Sequence, residues 1–332
     1  VKLAAIIPYY QREAGLLRRC LESVAGQQGA ELEITAHVVD DGSPAPSLSE
    51  VEGLACGPNL RIDRLVTANQ GAPAARNTAL DRVGTDTDFV AFLDSDDVWA
   101  PDHLARAVQA LGSGFDVYFS DHARTGSFES YFDSLGLQPL LKTLPRAGRD
   151  GSFLDLQGAD VFGLLLRHYL AQSSTVVFRR SVWPQLRFDE SLRTAGEDHL
   201  FWLKLATRSQ RFCLSTATGA VCGQGVSIYY SSFDWTGDDN LYRVSCLTKL
   251  YEDVGKSFSL SAKDRVYVQT RIRGLRSAMA FFLAHTLLRK KRLPRNLASV
   301  RQQHPHFWWS LARDLPLVAL AVCLGRYRLM AK

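Results

Sequence analysis

No run of about 18 apolar residues occurs in this chain, so no bilayer-spanning helix is expected. The cysteines Cys20, Cys56, Cys213, Cys222, Cys246 and Cys323 include no Cys-x-x-Cys pair. That spacing excludes a structural zinc pattern and predicts buried free thiols in a reducing, cytoplasmic compartment. Internal repeats and low-complexity tracts are also missing. The opening Val1–Pro8 is too short for a signal h-region and runs into polar residues, so no secretory leader is expected within it. The formal net charge of +5 is modest and no nucleic-acid reader motif accompanies it, which argues against a nucleic-acid partner. A hydrophobic fraction of 46% with 22% charged residues is that of an ordinary globular protein and excludes disorder.

What is present centres on Phe89-Val90-Ala91-Phe92-Leu93-Asp94-Ser95-Asp96-Asp97-Val98-Trp99. Five apolar residues suit a buried parallel strand, and three carboxylates follow its end. Open α/β sheets bind ligands at that edge. Close negative charges repel, and a cation relieves them. Oxygen ligands of this kind suit Mg²⁺ or Mn²⁺, which in turn hold phosphates. The plain alternative is that Asp97 caps a helix starting near Pro101.

The flanking pattern alternates strand and helix. Strands are predicted over Leu3–Ile7, Ile34–Val39, Arg61–Ala68 and Asp116–Phe119, and helices over Glu13–Ala25, from Gly71 through Leu80, and over Pro101–Leu111. This order implies a mostly parallel sheet with helices on both faces. Three strands then end in acidic turns on one rim: Asp40/Asp41, Asp94/Asp96/Asp97 and Asp121 beside His122. Gly126–Gly158 reads as a long loop, and Ala159–Leu170 as a helix. A strand over Ser174–Phe178 and a helix opened by Glu197 and Asp198 follow. Phe212–Tyr230 is β-like, with Gly219, Gly223 and Gly225 as breaks, and the remainder is helical. Trp99 suits either a sugar pocket or the core, Trp183 suits packing, and Ser173 and Ser174 read as strand-edge polar groups.

Five motifs in order give the chain a resemblance. They are Ile6-Ile7-Pro8-Tyr9-Tyr10-Gln11-Arg12-Glu13, Val38-Val39-Asp40-Asp41-Gly42-Ser43, Asn69-Gln70-Gly71-Ala72-Pro73-Ala74-Ala75-Arg76-Asn77, Phe92-Leu93-Asp94-Ser95-Asp96-Asp97 and Gly196-Glu197-Asp198. Together they resemble the family 2 glycosyltransferases, of GT-A-type α/β fold. The resemblance implies a catalytic, nucleotide-sugar-binding domain over 1–230 and leaves 231–332 as a helical region. It implies a nucleoside-diphosphate sugar donor, with uridine the expected nucleoside, and an inverting single displacement onto a hydroxyl of a glycan or lipid-linked acceptor, in polysaccharide or glycoconjugate synthesis. Pro8 and Tyr10 would border the base, and Asp41 would accept from uracil N3. Arg76 would face the diphosphate. Glu13, Asn77, Asp94 and Ser95 complete the expected substrate contacts. Asp96, Asp94 and Asp97 are the expected ligands of Mn²⁺ or Mg²⁺, and Asp198 the expected general base, with Glu197 orienting it or the acceptor. Two departures are visible. Ala220–Val226 lacks the Arg–His pair often found there in the family, so no extra metal ligand is expected from it. Gln11 also stands where Asn is usual.

Arg289-Lys290-Lys291-Arg292, Phe307-Trp308-Trp309 and the Leu315–Leu324 stretch suit an interfacial helix on anionic lipid, or packing against the core or a second copy of the chain. Two rival functions are open on sequence. Asp94-Ser95-Asp96 also fits a haloacid-dehalogenase-type phosphatase with Asp94 as nucleophile. A non-catalytic nucleotide or carbohydrate binder would keep Asp41 and Arg76 without needing Asp198.

Overall fold

The computed structural model describes residues 1–148, 151–226 and 238–305, with 307, 309, 312, 313 and 316. Trp308 and nearly all of Leu315–Leu324 lie outside the described residues, as does Ser227–Tyr230 of the expected β-like stretch. Contacts group the chain into two compact units, Val1–Phe188 with Phe201–Val226, and Asp189–Leu200 with Ser227–Lys332.

In the first unit, strands β1 (Lys2–Tyr9), β2 (Glu33–Asp40), β3 (Leu60–Val66) and β4 (Phe89–Phe92) pair in parallel in the order β3-β2-β1-β4. Helices α1 (Leu16–Ala25), α2 (Ser47–Val51) and α3 (Ala72–Asp81) connect them. A short strand β5 (Val98–Trp99), helix α4 (His103–Gly112) and strand β6 (Val117–Arg124) follow. β4 is buried throughout because both its faces are covered, which explains its unbroken apolar run. Leu17, Cys20, Leu21 and Val24 form the buried stripe of α1, at helical spacing. Gly15 at its start has φ 91°, and the first amides are satisfied from afar: Glu50 accepts from Gly15 N at 2.7 Å and Arg18 N at 3.1 Å.

Several expectations need correction. The stretch 126–158 is not structureless. It holds α5 (Tyr131–Ser134), α6 (Gln138–Leu141), β7 (Arg146–Ala147) and β8 (Phe153–Asp155). The expected helix over Ala159–Leu170 is the shorter α7 (Val161–Arg167), capped by Asp160 Oδ1, which accepts from Gly163 N at 2.8 Å. β9 (Val177–Arg179) inserts antiparallel between β4 and β6. β10 (Phe212–Cys222) runs parallel to β6. Since β4 and β6 both oppose β9, the carboxyl ends of β1, β2, β3, β4, β6 and β10 share one rim.

β6 is longer than its apolar run because its ladder with β10 continues to Arg124 opposite Cys222. Asp121 is therefore a buried strand residue and not an exposed turn acid. Its carboxylate accepts from Ser130 Oγ and from the amides of His122, Tyr131 and Phe132, which pins the following hairpin. His122 is likewise buried, stacked on Tyr131 at 4.5 Å, and its pKa is pushed down to about 4 by burial and then by Arg124.

Helix α8 (Glu197–Ala206) carries the second acidic motif in its first turn. The second unit holds α9 (Asp238–Ser257), α10 (Ala262–Lys290) and α11 (Leu297–Gln303), packed around Leu241, Val244, Met279, Leu283, Val300 and Phe307. No helix among the described residues is long and apolar enough to cross a membrane.

Candidate active site

The turn after β4 is sorted by direction. Ser95, Asp97 and Trp99 are buried, while Asp94 and Asp96 keep partial exposure. The inward group is fixed by the protein itself. Asp97 Oδ2 accepts from Ser174 Oγ at 2.6 Å and Gln172 Nε2 at 3.1 Å, and Asp97 Oδ1 accepts from Gly223 N at 2.9 Å. The Ser174 hydroxyl also accepts from Asp94 N at 2.9 Å, so one side chain grips both ends of the turn. Trp99 Nε1 donates to Ser174 O at 2.6 Å, which makes it a core residue and not a sugar-pocket wall.

One expectation for Asp97 gives way here. It does not cap α4, which starts later and whose Leu104 amide is taken by Gln27 Oε1 at 2.9 Å. Both its oxygens accept from donors in the protein interior, whereas Asp94 and Asp96 face outward. Ser95 also turns inward: its hydroxyl, buried, accepts from Gln11 Nε2 at 3.1 Å.

The outward group meets Arg76. Its Nη2 donates to Asp94 Oδ1 at 2.7 Å, and its guanidinium lies 5.4 Å from the Phe188 ring centroid. Arg76 is only 4% exposed, so this ion pair is held in place by its surroundings. Asn77 is turned to a different use. Its amide donates to Phe188 O at 3.1 Å and accepts from Phe188 N at 2.8 Å, clamping α3 to that backbone and leaving it poorly placed as a substrate contact.

On the neighbouring strands, Asp40 accepts from Ser43 N and Ser47 N, at 2.8 and 2.9 Å. Asp41 accepts from Gln70 N at 2.8 Å and Gly71 N at 2.7 Å, joining the end of β2 to the loop that opens α3. Pro8 is buried at the end of β1, Tyr10 is half-buried just beyond it, and Glu13 is exposed on the connection to α1. Within the second unit, Glu197 and Asp198 are half-buried, and Asp198 Oδ1 accepts from His199 N at 2.6 Å. The same segment packs through Gly196 against Leu250 and through His199 against Tyr251 of α9.

Residues 4–156 match the family described as Glycosyl transferase family 2. Over 231 residues the chain is 38% identical to the succinoglycan biosynthesis protein ExoW of Rhizobium meliloti, covering 69% of this chain and 71% of that protein. The chain belongs to glycosyltransferase family 2. Solved structures show the GT-A-type fold. TarS 1–349 of S. aureus in complex with UDP-GlcNAc has a TM-score of 0.59 at 19% identity, covering all 100% of this chain and 90% of that one. The mannosyltransferase PcManGT of Pyrobaculum calidifontis, in complex with GDP-Man and Mn²⁺, has a TM-score of 0.56 at 20% identity, covering 96% and 86%. Family membership displaces the phosphatase and simple-binder readings.

Whether this glycosyltransferase suits a divalent cation can be tested on its own side chains. Among the described residues no three His, Cys, Asp or Glu are grouped to enclose a metal. Mg²⁺-type ions do not need such a cage, since one or two carboxylates plus substrate phosphates suffice. Asp96 Oδ2 accepts from Gly225 N at 2.9 Å, and no other residue donates to its Oδ1 among the described residues. The turn also holds more negative charge than its burial favours. Burial, then Asp96 and Asp94, push the Asp97 carboxyl up to about 7, and burial, then Asp94, raise that of Asp96. A cation at the outward pair would offset the mutual repulsion of these carboxylates, and Asp96 and Asp94 are the side chains that would hold it.

Reasoning from sequence did not find Gln11, Gln172, Ser174, Gly223 or Gly225 as parts of this site. Each reaches the turn from far along the chain, and although Gln11 stands in the first motif, no local spacing gives it or the others this partner.

Proposed function

We propose that this glycosyltransferase moves a sugar from a uridine-diphosphate donor to a hydroxyl of a growing polysaccharide, with inversion at the anomeric carbon. The observation that carries this reading is the outward Asp94–Asp96 pair at the end of β4, with buried Arg76 bound to Asp94. The succinoglycan relative supports the polysaccharide, and the UDP-GlcNAc complex of a structural neighbour supports the nucleotide.

Each residue has work consistent with its setting. Pro8 and Tyr10 border the base. Asp41, oriented by two backbone amides, has lone pairs left for the uracil imide. Arg76, held by Asp94, turns its remaining donors to the diphosphate. Asp96 and Asp94 would hold Mg²⁺ or Mn²⁺, which when bound supplies positive charge to the departing diphosphate. The bond from C1 to the diphosphate oxygen breaks as the acceptor oxygen bonds to C1. The electron pair leaves with UDP, and the hydroxyl proton passes to Asp198, with Glu197 orienting the acceptor.

A thermal-shift series tests this. Donor at a hundredfold excess over its Kd adds about 2.7 kcal/mol to the native state by mass action. The melting point is expected to rise with a UDP-sugar and Mn²⁺ together, and less with either alone. No shift with any nucleotide sugar, with or without Mn²⁺, would overturn the assignment.

The proposal extends to an anionic membrane surface as the place of work. Leu293, 57% exposed, lies beside exposed Lys291, Arg292 and Arg295, and Trp309 is 81% exposed. Apolar side chains flanked by basic ones bind at lipid headgroups. Co-sedimentation with phosphatidylglycerol vesicles and not with phosphatidylcholine vesicles is the expected result. Equal recovery with both sinks this extension.

A further inference from the structure

Gly223–Val226, which follows β10, carries no acid, base or metal-ligating side chain, yet its amides bond Asp96 and Asp97 of the acidic turn and Gln11 beside it. Gly223 N donates to Asp97 Oδ1 at 2.9 Å, Gly225 N to Asp96 Oδ2 at 2.9 Å, and Val226 N to Gln11 Oε1 at 2.8 Å. Gln11 closes the ring, since its Nε2 donates to the Ser95 hydroxyl, and its backbone N and O both bond Ser43 Oγ at 2.8 Å. Three amides within four residues thus meet Asp97 and Asp96 after β4 and Gln11 after β1.

The glycines are required by closeness. A Cβ at Gly223 would stand 1.9 Å from the Asp96 carbonyl oxygen, which is backbone and cannot swing aside. A Cβ at Gly225 would stand 2.7 Å from both Asp96 Cβ and Gln11 Oε1. Expected from sequence as breaks in a strand, these residues let one backbone lie flat on another.

We infer that Gly223–Val226 is the positioning element for the cation's carboxylate: the Gly225 amide holds Asp96 by Oδ2 and presents Oδ1, while Gly223 and Val226 anchor the segment on Asp97 and Gln11. A ligating carboxylate works best when its second oxygen is fixed by a hydrogen bond, and loss of such a partner costs roughly 10–100-fold in metal affinity. In this chain the partner is main chain, so it leaves no side-chain trace. The inference rests on the reading of Asp96 as a cation ligand.

The test measures Mn²⁺ affinity directly, by electron paramagnetic resonance of the free ion in the presence of UDP, on the full chain. Gly225→Ala is expected to weaken Mn²⁺ binding roughly 10–100-fold, and Gln11→Met to weaken it in the same direction. Hydrogen exchange on the unsubstituted protein is the companion measurement, independent of whether a variant folds. The Gly223 and Gly225 amides should exchange slowly without metal and more slowly with Mn²⁺ and UDP. Wild-type affinity in a folded Gly225→Ala, or free exchange at both amides, would overturn the inference alone. Failure of the unsubstituted chain to bind Mn²⁺ would instead remove the reading of Asp96 on which it stands.

Discussion

Asp198→Asn is expected to leave donor binding intact and to lower sugar transfer by roughly 10²–10⁴-fold, the usual worth of a positioned general base. An acceptor hydroxyl is a poor nucleophile until its proton is drawn off, and an amide cannot take that proton. The substitution keeps size and hydrogen-bonding shape, so the bond from His199 N to the side-chain oxygen can persist. Two measurements separate the roles: calorimetric titration with UDP for binding, and product formation under saturating donor for turnover. Glu197→Gln, made beside it, should cost less. If Asp198→Asn turns over at the unsubstituted rate and Glu197→Gln does not, the two exchange roles. If both are active, the base lies elsewhere.

Arg76→Ala should be the most damaging single change on the donor side. Removing one partner of a buried ion pair costs ~3–5 kcal/mol, because the other charge is left buried alone. Here the Asp94 side chain retains 30% exposure, so water recovers part of that charge and the lower end of the range is expected. The guanidinium also packs on Phe188, so burial is lost along with charge. A urea unfolding midpoint well below that of the unsubstituted protein, together with lost UDP affinity, is the predicted outcome. Asp94→Ala in both backgrounds completes a double-mutant cycle, and a coupling near zero would refute the pair's importance.

These predictions draw on features that differed in how readily they could be read from sequence. β1 and β4 were plain because strands covered on both faces run nearly unbroken in apolar residues, and the parallel pairing of β3, β2, β1 and β4 follows from the helices between them. Asp94 and Asp96 stood out for the same reason, as charge directly after such a run. The direction of each acid was not readable. Asp97 turns inward because Ser174, Gln172 and Gly223 meet it there, and these lie 75 to 126 positions later in the chain. Asp121 was misjudged because a strand's length depends on its neighbour, and β10 extends β6 past its apolar stretch. Asn77 looked like a ligand contact within its motif, yet its partner Phe188 is 111 residues away. Local chemistry therefore marked which residues matter, while long-range pairing decided which way they face.

β9 has a bearing on how the chain is made. It is the strand that joins β4 to β6, opposing both, and it comes after them in sequence. A nascent chain emerging from the ribosome holds both flanking strands before it holds the one that bridges them. Until Val177–Arg179 has emerged, each of those flanks is an open edge able to pair with a foreign strand. Vectorial synthesis thus leaves the two halves of this sheet waiting on a three-residue keystone.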